Sequence, residues 1–241
     1  MKENRCDDDD FFSSYALMER SRKGLAGAAE WESLEKLFSS LGGKDVLDLG
    51  CGYGWHAKYM AEKGARSVLA TDISEKMLER AMETNNDERV EYRNVAMEDL
   101  DLPPASFDFV LSSLAMHYVE DYEGIVGKIH SALRKGGTFL LSVEHPLFTA
   151  EGSEEWIYDE SGNILHFPVD NYFVEGKRDS IFLGKRIGKY HRTLTTYVSV
   201  PLSLGFVLNA LVEPMPPERF LPDLKDELRR PMMLFLSFLK T

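Results

Sequence analysis

The run Val46-Leu47-Asp48-Leu49-Gly50-Cys51-Gly52-Tyr53-Gly54 constrains this chain more than any other segment. An apolar stretch from Asp45 to Leu49 reads as a buried strand. It enters a turn with glycine at every second position, and Trp55 to Lys63 then reads as a helix ended by Gly64. Glycines at 50, 52 and 54 let the backbone turn tightly and approach a ligand, because no Cβ intrudes. The N-terminus of the following helix offers N–H groups with no intrahelical partner. Strand, glycine loop and helix in this order form the opening unit of a nucleotide-binding α/β fold.

The rest of the centre repeats the alternation. Ser67–Thr71 reads as the second strand, and 75–82 as a helix with Ser74 at its N-cap. Val90–Val95 reads as the third strand and Phe107–Ser112 as the fourth. Ile125–Leu133 reads as a helix closed by Gly136-Gly137, and Thr138–Val143 as the fifth strand. Strands and helices alternating at this spacing predict a parallel sheet covered on both faces. Upstream, Trp31, Leu34, Leu37, Phe38 and Leu41 share one helical face, which predicts a helix from Trp31 to Leu41. The run Asp7–Asp10 reads as a solvated segment. After His145-Pro146 the pattern breaks into short aromatic-bearing segments as far as Tyr190, as an inserted cap would. Helix 193–204, strand Phe206–Val212, a proline-rich loop at Pro214–Pro217 and a last strand at 232–239 complete the chain. The expected division is an N-terminal helical lid at 1–41, a nucleotide-binding core at 42–147, a substrate cap at 148–190, and the remainder of the core sheet at 191–241.

Composition narrows the partners. The 241 residues carry a formal net charge of -12, which disfavours general binding to nucleic acid or anionic membrane. Cys6 and Cys51 alone build neither a disulfide framework nor a four-thiolate zinc site, in keeping with a reducing cytoplasm. The opening residues lack the apolar core of a secretory signal. Residues 193–212 are uncharged, but Pro201, Gly205 and Asn209 interrupt them, so they read as a buried helix and a buried strand rather than a membrane span.

Two ligands compete for the glycine loop. A dinucleotide fingerprint requires glycine or alanine as the sixth residue counted from Gly50, where this chain has Trp55. Asp48, two residues before the first glycine, would repel a pyrophosphate but suits a cationic ligand with an amino group and a sulfonium. Asp72 closes the second strand, where a carboxylate accepts from both hydroxyls of a ribose; the alternative is that it only caps the next helix.

These features resemble the class I S-adenosylmethionine-dependent methyltransferases, in particular the small-molecule branch that includes ubiquinone and menaquinone biosynthesis enzymes. Two further segments carry the resemblance: F-D-F-V-L-S-S-L-A-M-H-Y from Phe107 and L-R-K-G-G-T-F-L-L-S from Leu133. It implies a Rossmann-like doubly wound seven-stranded sheet, mostly parallel with an antiparallel last strand. It also implies S-adenosylmethionine as cofactor and S-adenosylhomocysteine as product. By position, Asp48 would lie near the methionine amino group, directly or through water. Gly50, Cys51, Gly52 and Gly54 would line the methionine and ribose, Asp72 would hold the ribose, and Ile73 would face the adenine. Met97 and Glu98 would lie at the adenine edge and Ser113 near the sulfonium. Tyr15 and Arg20 belong to a segment that closes over the cofactor in similar enzymes. One departure is Ala96, where many relatives carry an acidic residue; Glu98 or Asp99 would have to substitute.

If the methyl acceptor carries a proton, a base must take it, and histidine suits neutral pH. His117 with Tyr118, His145 and His191 are the expected candidates, all near the ligand-facing sheet edge or the cap junction. His130 reads as structural, His56 as a surface or cofactor-adjacent residue, and His166 has no clear role. His117, Glu144, His145 and His191 match no compact ligand spacing, so no metal is expected. Cys51 reads as the small residue the turn needs, not a nucleophile. In the cap, Lys177, Arg178, Lys185, Arg186, Lys189 and Arg192 form either a subsite for an anionic substrate or a solvated face. The cap's aromatics form either an apolar wall or a small core of their own. The chain lacks the Asn/Asp-Pro-Pro-aromatic motif that enzymes methylating base amines or glutamine carry after the fourth strand; it reads Ser112-Ser113-Leu114-Ala115 instead. The expected partner is therefore a small molecule, with the oligomeric state open. The competing readings are a non-catalytic S-adenosylmethionine sensor or partner subunit and, less favoured, a nicotinamide-dependent oxidoreductase. An open pocket near His117 would separate catalysis from sensing.

Overall fold

Alternation along β1 (Asp45–Leu49) sets the layers of the fold. Val46 points into one buried cluster and Leu47 and Leu49 into another, so both faces of this strand are covered. The computed structural model describes residues 4–241; residues 1–3, the start of the expected lid segment, lie outside the described residues. Before β1 come three short helices, α1 (Asp9–Ala16), α2 (Glu19–Lys23) and α3 (Trp31–Glu35). After it follow α4 (Trp55–Glu62), β2 (Ser67–Asp72), α5 (Glu75–Thr84), β3 (Val90–Asn94), β4 (Phe107–Ser113), α6 (Tyr122–Ala132), β5 (Leu133–Glu144) and α7 (Pro146–Thr149). Two hairpins come next, β6 (Ile157–Tyr158) with β7 (Ile164–His166), and β8 (Gly176–Phe182) with β9 (Lys185–His191). The chain closes with α8 (Leu194–Ser203), β10 (Phe206–Val212), α9 (Leu221–Leu224) and β11 (Met233–Lys240).

The main sheet has seven strands in the order β10-β11-β5-β4-β1-β2-β3. Only β11 runs against the direction of the other six strands. The strand order reverses between β1 and β4, and ligands of such sheets bind at the carboxyl ends beside that reversal. This is the Rossmann-like sheet expected from the sequence.

Local chemistry explains several departures. The helix expected to run to Leu41 stops at Glu35; Leu37 and Phe38 still pack on the core, from turn rather than helix. Gly136-Gly137 does not close α6. The strand begins directly at Leu133, and a bulge sets five residues of β5 against two of β4, with Gly136 at φ +80 supplying the left-handed kink. The stretch after Thr193 is less buried than expected. In α8 only Tyr197 and Pro201 are buried, and β10 is a sheet edge that leaves Val207 and Leu211 exposed. No helix among the described residues is long and apolar enough to cross a membrane.

The acidic run is not a free solvated segment. Asp7 accepts from Ser74 Oγ at 2.6 Å, Asp8 caps α1 through Phe11 N at 3.0 Å, Asp9 pairs with Lys76, and Asp10 meets Lys185 Nζ at 3.1 Å. These contacts fasten the N-terminal helices to α5 on one side and to the β8–β9 hairpin on the other.

Candidate active site

The loop after β1 is held from below and open above. Gly50 N and Cys51 N both donate to Thr71 O, at 2.8 and 3.0 Å, which locks the turn onto the end of β2. All three glycines have positive φ: +75 at Gly50, +51 at Gly52 and +76 at Gly54. A Cβ at Gly50 would collide with Ala115, and one at Gly54 with the Tyr92 hydroxyl, whereas one at Gly52 would meet no heavy atom within 4 Å. The loop is therefore packed at its ends and empty at its middle, where a ligand would lie. Gly54→Ala is expected to destabilise the protein by ~2–4 kcal/mol, from left-handed strain plus overpacking. Gly52→Ala should lower stability by only ~1 kcal/mol, the left-handed penalty, yet obstruct ligand binding. Thermal unfolding and calorimetric titration of the two variants separate these effects.

Gly52 lines a cavity of about 400 Å³, within the range of small-ligand sites. Asp72, Ile73, Ala96, Met97, Glu98, Ser113, Tyr15 and Arg20 also line it, as do Gly50 and Cys51. Asp72 accepts from Gly52 N at 2.8 Å and Ser74 N at 2.9 Å. Burial raises its pKa despite these bonds. The helix-capping role belongs to Ser74, whose hydroxyl accepts from Met77 N. Asp48 is 1% exposed and lies behind the loop, not on the cavity wall; no donor among the described residues reaches either carboxylate oxygen. Burial first, and then the Asp72 charge, push it up to about 8.

The comparisons with known proteins agree with this geometry. The methyltransferase domain family matches residues 47–141, from β1 to the middle of β5. An S-adenosylmethionine-dependent methyltransferase from Mesorhizobium loti is 40% identical; the superposition covers 90% of this chain and 100% of that one, with a TM-score of 0.84. A Listeria monocytogenes protein assigned to the same class is 47% identical over 88% of this chain and 98% of its own, also with a TM-score of 0.84. This chain belongs to the S-adenosylmethionine-dependent methyltransferases. A ubiquinone biosynthesis O-methyltransferase from Idiomarina loihiensis is 37% identical over 112 residues, covering 45% of this chain and 46% of that protein. That likeness therefore spans about half of either chain.

The residues of this methyltransferase fit the cofactor, S-adenosylmethionine. The empty space over Gly52 gives the ligand a backbone cradle, and Asp72 keeps acceptor capacity beyond its two backbone bonds. On the opposite side, Arg20 Nη2 bonds Glu30 Oε1 at 2.5 Å, and the buried Trp55 Nε1 has no acceptor among the described residues. Trp55 and Arg20 both line the cavity. The Trp55 ring also packs against Gly24, where a Cβ would come within 2.8 Å; it fills the place where a dinucleotide fingerprint needs a small residue. Tyr15 stands edge-on to Tyr53 at 5.5 Å, and burial pushes its hydroxyl up to about 12, so it remains neutral. Cys51 is buried and its thiol is pushed well up, first by burial, which makes it inert as a nucleophile.

The four polar candidates for chemistry separate. His117 and Tyr118 line the cavity, with ring centroids 4.3 Å apart. His117 Nδ1 accepts from Glu144 N at 3.5 Å, and burial pulls the imidazole down to about 4, so it is neutral at physiological pH. Burial also raises the Tyr118 hydroxyl well above its usual range. His145 and His191 do not reach the cavity lining. His145 caps α7 by accepting from Leu147 N, and its Nε2 meets Glu213 at 2.8 Å. His191 spends both nitrogens, on Thr149 Oγ1 at 2.8 Å and on Tyr172 O at 2.9 Å. His56 lines the cavity against Trp31 and is pulled down to about 4, chiefly by burial. No cluster of metal-ligating side chains occurs among the described residues.

Most of the basic cluster of the cap is spent inside the protein, while Lys177 and Arg186 are exposed. Lys185 binds Asp8 and Asp10, Arg178 donates to Ala150 O, Arg192 donates to the Val119 and Glu120 carbonyls, and Arg186 faces Asp179. Three of the cap's aromatics, Phe148, Trp156 and Phe167, enclose the Arg230 guanidinium at 4.3–4.8 Å. Phe182 instead lines the cavity. Sequence reasoning missed Glu154, weighed Glu144 only as a metal ligand, and placed Lys189 in the basic cluster of the cap rather than against these carboxylates. The sequence hint was a lysine on an alternating strand that the fold buries to 2% exposure.

Proposed function

We propose that this methyltransferase acts on a small-molecule acceptor held between the sheet edge and the β8–β9 hairpin. The observation that carries this reading is the cavity's extension past the glycine loop to His117, Glu144, Phe182 and Ile187. That space, roofed by the hairpin, suits a small acceptor and favours catalysis over a sensor, in which it would be filled. An acidic protein most of whose cap cations are paired internally offers no basic track for a nucleic acid.

In this reading Asp72 receives the ribose hydroxyls, with Ile73 against the adenine and Met97 and Glu98 at its edge. Asp48 sits behind Gly50, Cys51, Gly52 and Gly54 to balance the methionine ammonium, while Arg20 and Trp55 Nε1 face its carboxylate. Tyr15 closes the lid of 1–41 over the site, residues 148–190 act as the cap, and Ser113 lies toward the sulfonium. The cofactor supplies a methyl group already activated by the positive sulfur. The chain's own task is then mostly alignment, with Tyr118 and the neutral His117 shaping the acceptor side.

The test is incubation with methyl-tritiated S-adenosylmethionine and a cell extract divided by dialysis. Label should enter dialysable product together with S-adenosylhomocysteine. Label appearing only in retained protein or nucleic acid would overturn the small-molecule reading.

A further inference from the structure

Three ionisable side chains from three separate elements meet at the acceptor end of the cavity. Glu144 ends β5, Lys189 lies on β9, and Glu154 lies in the cap loop between α7 and β6. Lys189 Nζ sits 2.7 Å from Glu144 Oε1 and 2.9 and 2.8 Å from the two oxygens of Glu154. The lysine is 2% exposed and the two carboxylates 18% and 11%. Both carboxyls share the one ammonium, which brings their charges together. Glu144 Oε2 is buried without a donor among the described residues, and Glu144 alone of the three lines the cavity. Glu154 is held at φ +62, a strained position for a non-glycine residue, so the surrounding fold must over-determine it. One ammonium against two carboxylates leaves an excess negative charge at the wall, which a stability role does not require.

We infer that the Glu144–Glu154 pair is the proton acceptor of the reaction, and that the methyl acceptor is an apolar-bodied molecule presenting an O–H or N–H to Glu144, not an anion. The inference rests on the methyltransferase reading above. The acceptor's O–H or N–H bond breaks and its proton passes to the Glu144 carboxylate. The freed electron pair forms the new bond to the methyl carbon as the carbon–sulfur bond breaks, and that pair stays on sulfur as S-adenosylhomocysteine. Glu144 then shares the proton with Glu154, while Lys189 stays charged and positions both. Phe182, Ile187 and Met233 line the same part of the cavity and account for the apolar body. An anionic acceptor would meet Glu144, and the nearest cation is already taken by two carboxylates.

The titration of the pair agrees with this geometry. Burial and the neighbouring Glu144 push Glu154 up to about 7, while burial of Glu144 is outweighed, chiefly by the Lys189 ammonium once His117 is neutral, and its carboxyl stays below the usual glutamate range. The pair therefore takes up one proton near neutrality, where a general base works best. The other titratable groups facing it are His117, Tyr118 and Tyr197, with Arg230 acting on Glu154.

The test uses three single-ring probes: 4-methylphenol, benzylamine and benzoate. Each is offered to the S-adenosylhomocysteine-loaded protein in saturation-transfer NMR and to the enzyme with labelled S-adenosylmethionine. The phenol or the amine, whichever donor the site takes, should bind and be methylated, with a rate that rises with pH through the titration of the pair. Glu144→Gln should keep S-adenosylmethionine affinity within ~2-fold, which also shows that it folds, but lose ~100-fold or more in kcat. Glu154→Gln should move the pH limb downward, because Glu144 is then left beside Lys189 alone. Preferential binding of benzoate would overturn the inference. So would failure of both donors in a protein that binds the cofactor, or a Glu144→Gln enzyme with wild-type kcat and pH profile. Failure to bind S-adenosylmethionine would instead remove the methyltransferase reading itself.

Discussion

Asp72→Ala should weaken S-adenosylmethionine binding by ~10²–10⁴-fold. The carboxylate already accepts two backbone N–H groups, from Gly52 and Ser74. A carboxylate has about four lone-pair sites, so two remain for ribose hydroxyls. Each charge-assisted bond contributes ~1.5–3 kcal/mol, and two together give the stated range at ~1.4 kcal/mol per decade. The loss should be larger than geometry alone suggests, because the same substitution frees Gly52 N and loosens the loop. Thermal stability should fall by only ~1–3 kcal/mol, since the lost acceptor of Gly52 N and Ser74 N is partly offset by relief of a buried charge. Calorimetric titration checks the affinity and thermal unfolding the stability. An affinity within about threefold of wild type would remove Asp72 from the ribose site.

Asp48→Asn should have opposite effects on stability and on binding. The carboxyl is buried without a partner and raised to about 8 from an ordinary 3.8. Between those values the folded state holds a proton that the unfolded chain has released. Stability from this group is therefore fully present below the unfolded pKa and is lost as pH rises through the folded one. Near pH 8 the asparagine variant should be more stable than wild type, by ~2 kcal/mol after discounting for relaxation around the buried charge; below pH 4 the difference should vanish. An ammonium bound across the glycine loop from Asp48 reverses the balance, so cofactor binding at neutral pH should expel the proton. Titration in buffers of different ionisation enthalpy should show close to one proton released by wild type and none by the variant, whose affinity should fall ~10–100-fold. A variant that is less stable at high pH, or that binds the cofactor as tightly as wild type, would show that Asp48 is not the ammonium's counter-charge.

The part of the site legible in the sequence is the part built from contiguous residues. Val46 to Gly54 carries its own geometry, since the buried strand, the left-handed glycines and the helix start all lie within one unit. Asp72 was readable for the same reason, being the strand end paired with that loop. The alternation of strands and helices likewise led to the sheet, because each element buries a periodic face. The sequence did not show what long-range packing decides. Lys189 lies 45 and 35 residues along the chain from Glu144 and Glu154, and meets them only when the β8–β9 hairpin folds back over β5. His145 and His191 stand at plausible positions near the sheet edge, yet nearby partners, Leu147 N with Glu213 and Thr149 with Tyr172, take up their ring nitrogens. The aspartate run looks like a solvated tail by composition, but Ser74, Lys76 and Lys185 turn it into a strap. Gly136-Gly137 looks like a helix stop and is a strand bulge, because the pairing of Leu133 with Phe107 begins before it.

The most direct measurement is a calorimetric titration of the wild-type protein with S-adenosylmethionine, S-adenosylhomocysteine and NAD. Micromolar binding of both sulfur nucleosides, with none of NAD, is the expected result for the loop around Gly52 and the carboxylates of Asp48 and Asp72. Binding of NAD in preference to them, or no binding of either sulfur nucleoside, would contradict the assignment of this cavity to the methyl donor.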